Sequence, residues 1–187
     1  WSLRAPTKPE VPETKSDIWP RTPIDNFILS KLEEKNLTPA SDADPHTLAR
    51  RLSLDLTGLP PDPALTADFI TTPSEESYDK LVETLLASPH YGEHRARYWL
   101  DAARYGDTHG LHFDNYREMH PYRDWVIRAF NQNIPYDDFT VWQLAGDLLP
   151  EPTLDQLIAT GFQRCNITTN EGGTIAEENL ANYAADR

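Results

Sequence analysis

Four pairs in the first half of the chain set a helix-capping side chain directly before a proline that leads a stretch of helical spacing: Thr22-Pro23, Asp44-Pro45, Asp62-Pro63 and Ser88-Pro89. Proline has no N–H and a fixed φ, so it suits the first position of a helix, where no acceptor is needed. A preceding Ser, Thr or Asp accepts from a free amide of the first turn. These pairs mark helix starts that no strand assignment can accommodate. Ser74, followed by Glu75 and Glu76, is a fifth start of the same kind without proline. Gly58-Leu59 ahead of Pro60-Pro61 is a stop: glycine takes the left-handed position and the leucine folds back.

The apolar spacing behind each start is helical. Ile24, Phe27, Ile28 and Leu32 follow the first, and Leu48, Leu52 and Leu56 the second, which runs to Gly58. A third, short helix reaches Phe69. In the fourth, Tyr78, Leu81, Val82, Leu85 and Leu86 line one face. The fifth runs from Ser88-Pro89 to about Tyr105 with a wide aromatic face, Tyr91, Tyr98 and Trp99, and i,i+4 pairs Glu93–Arg97 and Arg97–Asp101. Pro121 opens a sixth, with Tyr122, Trp125, Val126, Ala129 and Phe130 on one side. Pro135 precedes a seventh, whose Phe139, Val141, Trp142, Leu144 and Leu148 spread over more than one face and predict a central, buried helix. Leu154, Leu157, Ile158 and Phe162 mark an eighth, and Thr174 caps a last one over 175–186. No stretch alternates as a strand does. The expected fold is all-α, an irregular orthogonal array of about eight or nine short helices. Residues 1–21, with four prolines and no period, read as an extended arm that Trp1 and Trp19 would pin; 22–187 read as a single helical domain.

The net charge of −13 excludes the excess Lys/Arg that non-specific binding to nucleic acid or anionic membrane requires. No apolar run approaches the ~20 residues of a membrane span. No signal peptide is present, and the start at Trp1 reads as a mature or excised piece of a larger protein. A single cysteine, Cys165, leaves no disulfide framework, and a buried free thiol is its default.

The stretch 90–130 concentrates the chemistry. It holds five of the six histidines and six arginines balanced by six acids. Its polar loop, 106–119, carries Asp107-x-His109-x-x-His112-x-Asp114. Carboxylates and imidazoles so spaced suit a transition metal, with His109, His112 and Asp107 as ligands; the plainer reading is that the acids cap the loop backbone. His90 and His94 share a helix face but lack the HExxH pattern, which favours packing. Arg104, Tyr122, Arg123 and Asp124 join Asp107 and Asp114 as a candidate polar site, with Arg97 and Asp101 alongside. Such a group is either a structural Arg–Asp network or a surface for a sugar, sulfate or carboxylate. Gly172-Gly173 reads as a tight turn or an anion-binding backbone nest. No catalytic Ser–His–acid order, P-loop, Rossmann glycine pattern or Cys-x-x-Cys-His haem site occurs in these 187 residues.

The strings RTPIDNFILSKLEEKNLTPA, RRLSLDLTGLPP, YDKLVETLLASPHYGEHRARYWLDAARYGDT, YRDWVIRAFNQNIPYDDFTVWQLAGDLLP and TGFQRCNITTNEGG resemble, in order, the planctomycete cytochrome-associated (PSCyt-type) domain of unknown function. The resemblance implies an exported protein, periplasmic or secreted. Its partners would be a cytochrome c-like domain of the same polypeptide and, in some members, sugar-binding modules. In the family pattern a Cys-x-x-Cys-His motif follows the position of Arg187, so a c-type haem or metal would belong to the full-length protein, with no haem ligand in this chain. The pattern favours Asp107 and Gly110 and commonly has other residues at 94, 109 and 112. That points away from the two loop histidines and towards Asp107 and Asp114. The first functional expectation is a domain that docks against or shields a haem or metal centre carried elsewhere in the chain. A polysaccharide-active or carbohydrate-binding cleft at 90–130 is the second, and an interaction scaffold without a site the third.

Overall fold

Each Pro-led start in the sequence is a helix start in the structure, a computed structural model that describes residues 4–16 and 18–186; Trp1, expected to pin the arm, lies outside the described residues. The helices are α1 (Pro23–Glu34), α2 (Pro45–Thr57), α3 (Pro63–Thr71), α4 (Glu75–Leu86), α5 (Pro89–Ala102), α6 (His120–Asn131), α7 (Tyr136–Ala145), α8 (Leu154–Ala159) and α9 (Ala176–Asp186), with short 3-10 turns at Gly146–Leu148 and Thr160–Arg164. Among the described residues there is no strand, so the fold is all-α as expected. Among the described residues no helix is long and apolar enough to cross a membrane.

The caps explain the boundaries. Asp44, Asp62, Ser74 and Ser88 each accept from a first-turn amide. Thr22 and Asp25 form a reciprocal capping box. Asp25 takes the Thr22 amide at 2.8 Å and the Arg21 amide at 3.0 Å, which holds its carboxyl below the usual range. Gly58 closes α2 with φ 70°, as the sequence indicates.

The chain packs as two units, Trp1–Ala43 and Asp44–Arg187; the sequence reading drew its line after residue 21. In the first, Lys15 donates its backbone N–H to Glu33 at 3.0 Å, Arg21 pairs with Asp42 at 3.0 Å, and Trp19 is half-buried. The one buried apolar residue of α1 is Leu29, off the Ile24–Phe27–Ile28 stripe, which is exposed.

The second unit has two apolar cores. Ala49, Phe69, Leu81 and Leu85 of α2–α4 form one, with Leu48, Leu52 and Leu56 packed around it. Ala96, Met119, Tyr122, Trp125, Val126, Ala129, Phe139, Ala159 and Cys165 form the other. Its centre is the antiparallel pair α5–α6. A Cβ added at Gly92 would stand 2.4 Å from the Ile127 carbonyl oxygen and 2.5 Å from Asn131. Asn131 accepts from the Gly92 amide at 2.8 Å and donates to the Pro89 carbonyl at 3.2 Å. The start of α5 is therefore clamped to the end of α6. Trp125 lies stacked between Tyr122 and Phe139, and Trp99 meets Phe139 edge-on.

Two expectations change. α5 stops at Ala102, because Arg104 takes a left-handed φ of 57° and the Tyr105 amide turns back to the Leu100 carbonyl. α7 is not buried on several faces: Phe139 and Gln143 are buried, while Val141 and Leu144 are exposed and Leu148 falls in the 3-10 turn beyond the helix, also exposed.

Replacing Gly92 with Ala forces the two backbones apart at their closest approach. The expected loss is about 2–3 kcal/mol of unfolding free energy, read as a lower urea midpoint; an unchanged midpoint would show that the approach carries no strain.

Candidate functional site

The loop between α5 and α6 is a small folded unit. The amide of Arg117 donates to the Asp107 carbonyl at 2.7 Å and that of His109 to the Asn115 carbonyl at 3.0 Å, with a bridge from Thr108 to Tyr116. His112 and Asp114 take left-handed φ values of 56° and 48°, which turn the tip. Asp114 accepts from the Gly110 amide at 2.7 Å, and the Thr108 hydroxyl and that amide hold its carboxyl below the usual range.

The tip is tied to the C-terminal segment. The Thr168 amide donates to the His109 carbonyl at 2.8 Å, and His109 Nδ1 lies 2.7 Å from the Thr168 hydroxyl. Arg117 donates to the Asn166 carbonyl at 3.0 Å, and His112 Nε2 lies 3.4 Å from Glu171. Asp186 at the end of α9 accepts from Arg104 at 2.6 Å and from the Ile167 amide at 3.2 Å, while Tyr183 accepts from the Thr169 amide at 2.7 Å. α9 buries no side chain of its own, so these polar bonds hold it.

The candidate polar residues separate into four places. Asp107 accepts from the Tyr105 hydroxyl at 2.5 Å and lies 3.5 Å from Arg123, whose Nε donates to Asp124 at 3.2 Å. This Tyr105–Asp107–Arg123–Asp124 chain is half-buried. Burial first, and then the Asp107 bond, raises the Tyr105 phenol far above its ordinary value. Tyr105 belongs to the cluster and carries no spacing signal that would have singled it out. Tyr122 points elsewhere: it is buried, donates to Gln143 at 2.7 Å and accepts from Trp99 at 3.1 Å. Arg104, just beyond α5, bonds the end of α9, and Asp114 holds the loop tip. Arg97 and Asp101 are exposed and outside the cluster, and the expected Glu93–Arg97 and Arg97–Asp101 pairs do not form; Glu93 turns to His90 at 2.7 Å. The central arginines thus pair partly with distant acids, Arg104 with Asp186 and Arg128 with Asp155.

His109, His112 and Asp107 do not converge, since each is bonded to a different partner. Among the described residues no three His, Cys, Asp or Glu side chains group to hold a metal ion. Covalent haem needs a Cys-x-x-Cys-His arrangement; this chain has Cys165 alone, buried, its thiol pushed up to about 11 by that burial. The residues present do not fit a haem. Gly173, at φ 103°, has open space around it, so the paired glycines form a surface turn.

An all-helical domain with a loop-built surface and few converging titratable groups is the class these features define. Residues 23–187 match the PSCyt2 family, described as a protein of unknown function (DUF1549), and the chain belongs to that family. No curated protein and no solved structure matches it.

Asp186 has a carboxyl held below its ordinary value, first by Arg104 and then by the Ile167 amide. A depressed acid stabilises the folded form above its unfolded pKa and loses that effect as pH falls through the folded one. Attachment of α9 is therefore complete at neutral pH and fades below the usual carboxylate range. Asp186→Asn is expected to raise amide exchange across 176–186 at neutral pH while α5 and α6 stay protected; unaltered exchange in α9 would mean that other contacts hold it.

Proposed function

We propose that this domain is the docking module of an exported, c-type cytochrome-associated redox protein, and that the surface built by loop 103–119 and the 166–186 segment receives the cytochrome c-like domain of the same polypeptide. The observation that carries the docking part is an uncovered apolar surface on neighbouring segments. Leu111, Phe113, Tyr116, Ile167, Ile175 and Leu180 are all exposed there, Phe113 at 69%. Hydrogen bonds hold the segments together: Gly110 bridges to Thr168 backbone to backbone, and the Thr169 amide donates to the Tyr183 hydroxyl. Exposed apolar side chains gathered on one face and rimmed by polar groups are the usual form of an interaction site. The cytochrome neighbour, the planctomycete source and the periplasmic or secreted location rest on the long strings shared with that family. The net charge of −13 favours a basic partner, drawn in by long-range attraction.

A second reading is favoured by the exposed rings of Phe113 and Tyr116 beside polar Asp114 and His112. Such rings stack sugar faces, so the same surface could take an acidic or neutral polysaccharide.

The domain and a separately purified cytochrome c-like domain of the same polypeptide are expected to bind in calorimetry at low salt. Binding should weaken as salt rises, and Phe113→Ala or Leu180→Ala should each cost about tenfold in affinity. No heat at low salt, or wild-type affinity in both variants, contradicts the docking reading. Oligosaccharide-induced NMR shifts confined to Phe113 and Tyr116 would move the surface to the second.

A further inference from the structure

Between the two cores of the Asp44–Arg187 unit the principal packing is α2 against α5. One titratable side chain stands in that seam. His94 of α5 is 8% exposed, and its Nδ1 is buried without a hydrogen-bond partner. Its ring lies against the left-handed Gly58 that ends α2: a Cβ built on Gly58 would come 2.4 Å from Nδ1. The edge-on ring of Tyr98 meets it from its own helix, with 5.4 Å between centroids.

A neutral imidazole tolerates this site, because Nδ1 can stay an unprotonated acceptor. The imidazolium form cannot, since both ring nitrogens then need acceptors and Gly58 leaves no room for one at Nδ1. The charged groups facing the ring mostly oppose protonation. On α5, Arg97 and Arg95 repel a cation, and on α2 only Asp55 attracts one. Arg97 pairs with no carboxylate among the described residues, so its charge is not offset locally. Burial and these arginines together hold the His94 pKa below 6.5.

We propose that His94 is an acid-operated release built into the α2–α5 seam: protonation of its imidazole separates α2–α4 from α5–α6 while each helix group keeps its own core. The direction follows from linkage. The open seam gives His94 water and its ordinary pKa, and the closed seam keeps it neutral. Opening therefore takes up a proton, is unaffected by pH above 6.5, and is promoted as pH falls below it. Gly58, which the capping argument already explains, gains a second role, because any side chain there would displace the imidazole. The device would couple the spacing of the two helix groups to the acidity of the compartment the protein occupies.

Native-state hydrogen exchange on the intact chain tests this, with rates corrected for intrinsic chemistry. In the wild type, opening at residues 53–59 and 92–98 is expected to rise by up to about fivefold between pH 6.5 and 5.5, while the centre of α6 stays protected. His94→Gln and His94→Phe should both abolish that rise, whereas His90→Gln should keep it. A separate reading comes from the wild type alone: the His94 imidazole resonance should titrate below 6.5, and amides of α2 and α5 should shift with that midpoint. A pH-independent seam, an equal rise in the His94 variants, or a His94 midpoint of 6.5 or above would overturn the proposal.

Discussion

The approach of α5 to α6 at Gly92 governs the rest of the larger unit. With no side chain at 92, the start of α5 can rest on the Ile127 carbonyl and accept the clamp of Asn131. That closeness lets Ala96 and Ala129 sit inside the core and brings Trp99, Tyr122, Trp125 and Phe139 into mutual ring contact. It also buries the polar atoms of Tyr122 and Gln143, which bond each other and Trp99, so the burial leaves them satisfied. Interiors packed this densely have little slack, and the far ends of the pair are therefore held at a set separation. The loop between them inherits its shape from that separation.

Because its two ends are held, the loop folds on itself and against the C-terminal segment through backbone bonds. Few of its polar side chains are left to converge. Asp114 serves the tip, His109 serves Thr168, and Arg104 serves α9. Only Tyr105, Asp107, Arg123 and Asp124 form a chain, and its members satisfy one another. Apart from the buried Nε of Arg117, what remains unsatisfied is apolar: exposed rings and aliphatic side chains on the loop and on the C-terminal segment. A surface whose polar groups are internally paired and whose apolar groups are not is suited to association more than to acid–base chemistry.

The parts legible in sequence are those written within a few residues of themselves. A capping side chain, in four of five cases followed by proline, acts on amides two or three positions away, so the starts of α1 to α5 could be read directly. Helix ends were harder. Asn36, Arg104, Asn133 and Glu151 take left-handed φ values without the glycine that normally announces one. The Gly92 contact was missed because a mid-helix glycine reads as a weakness until the partner helix is in place. The arginine partners were misjudged for a related reason. Arg104 with Asp186 and Arg128 with Asp155 are set by tertiary packing, which outweighs the few tenths of a kcal/mol of an exposed i,i+4 pair. The stretch 90–130 holds the folded loop, and Asp107 there is bonded by Tyr105, a residue that the candidate polar group did not include.

The account depends most on the loop being a fixed surface joined to the C-terminal segment. Residue-resolved amide exchange at His109, Arg117 and Thr168 tests this most directly, since the Thr168 amide donates the backbone bond that joins the two and the His109 and Arg117 amides donate the bonds that hold the loop in shape. The three amides are expected to be protected and to open together, with one shared opening constant. Exchange at unprotected rates, or three unrelated constants, would mean that the loop and the C-terminal segment move independently and form no common surface.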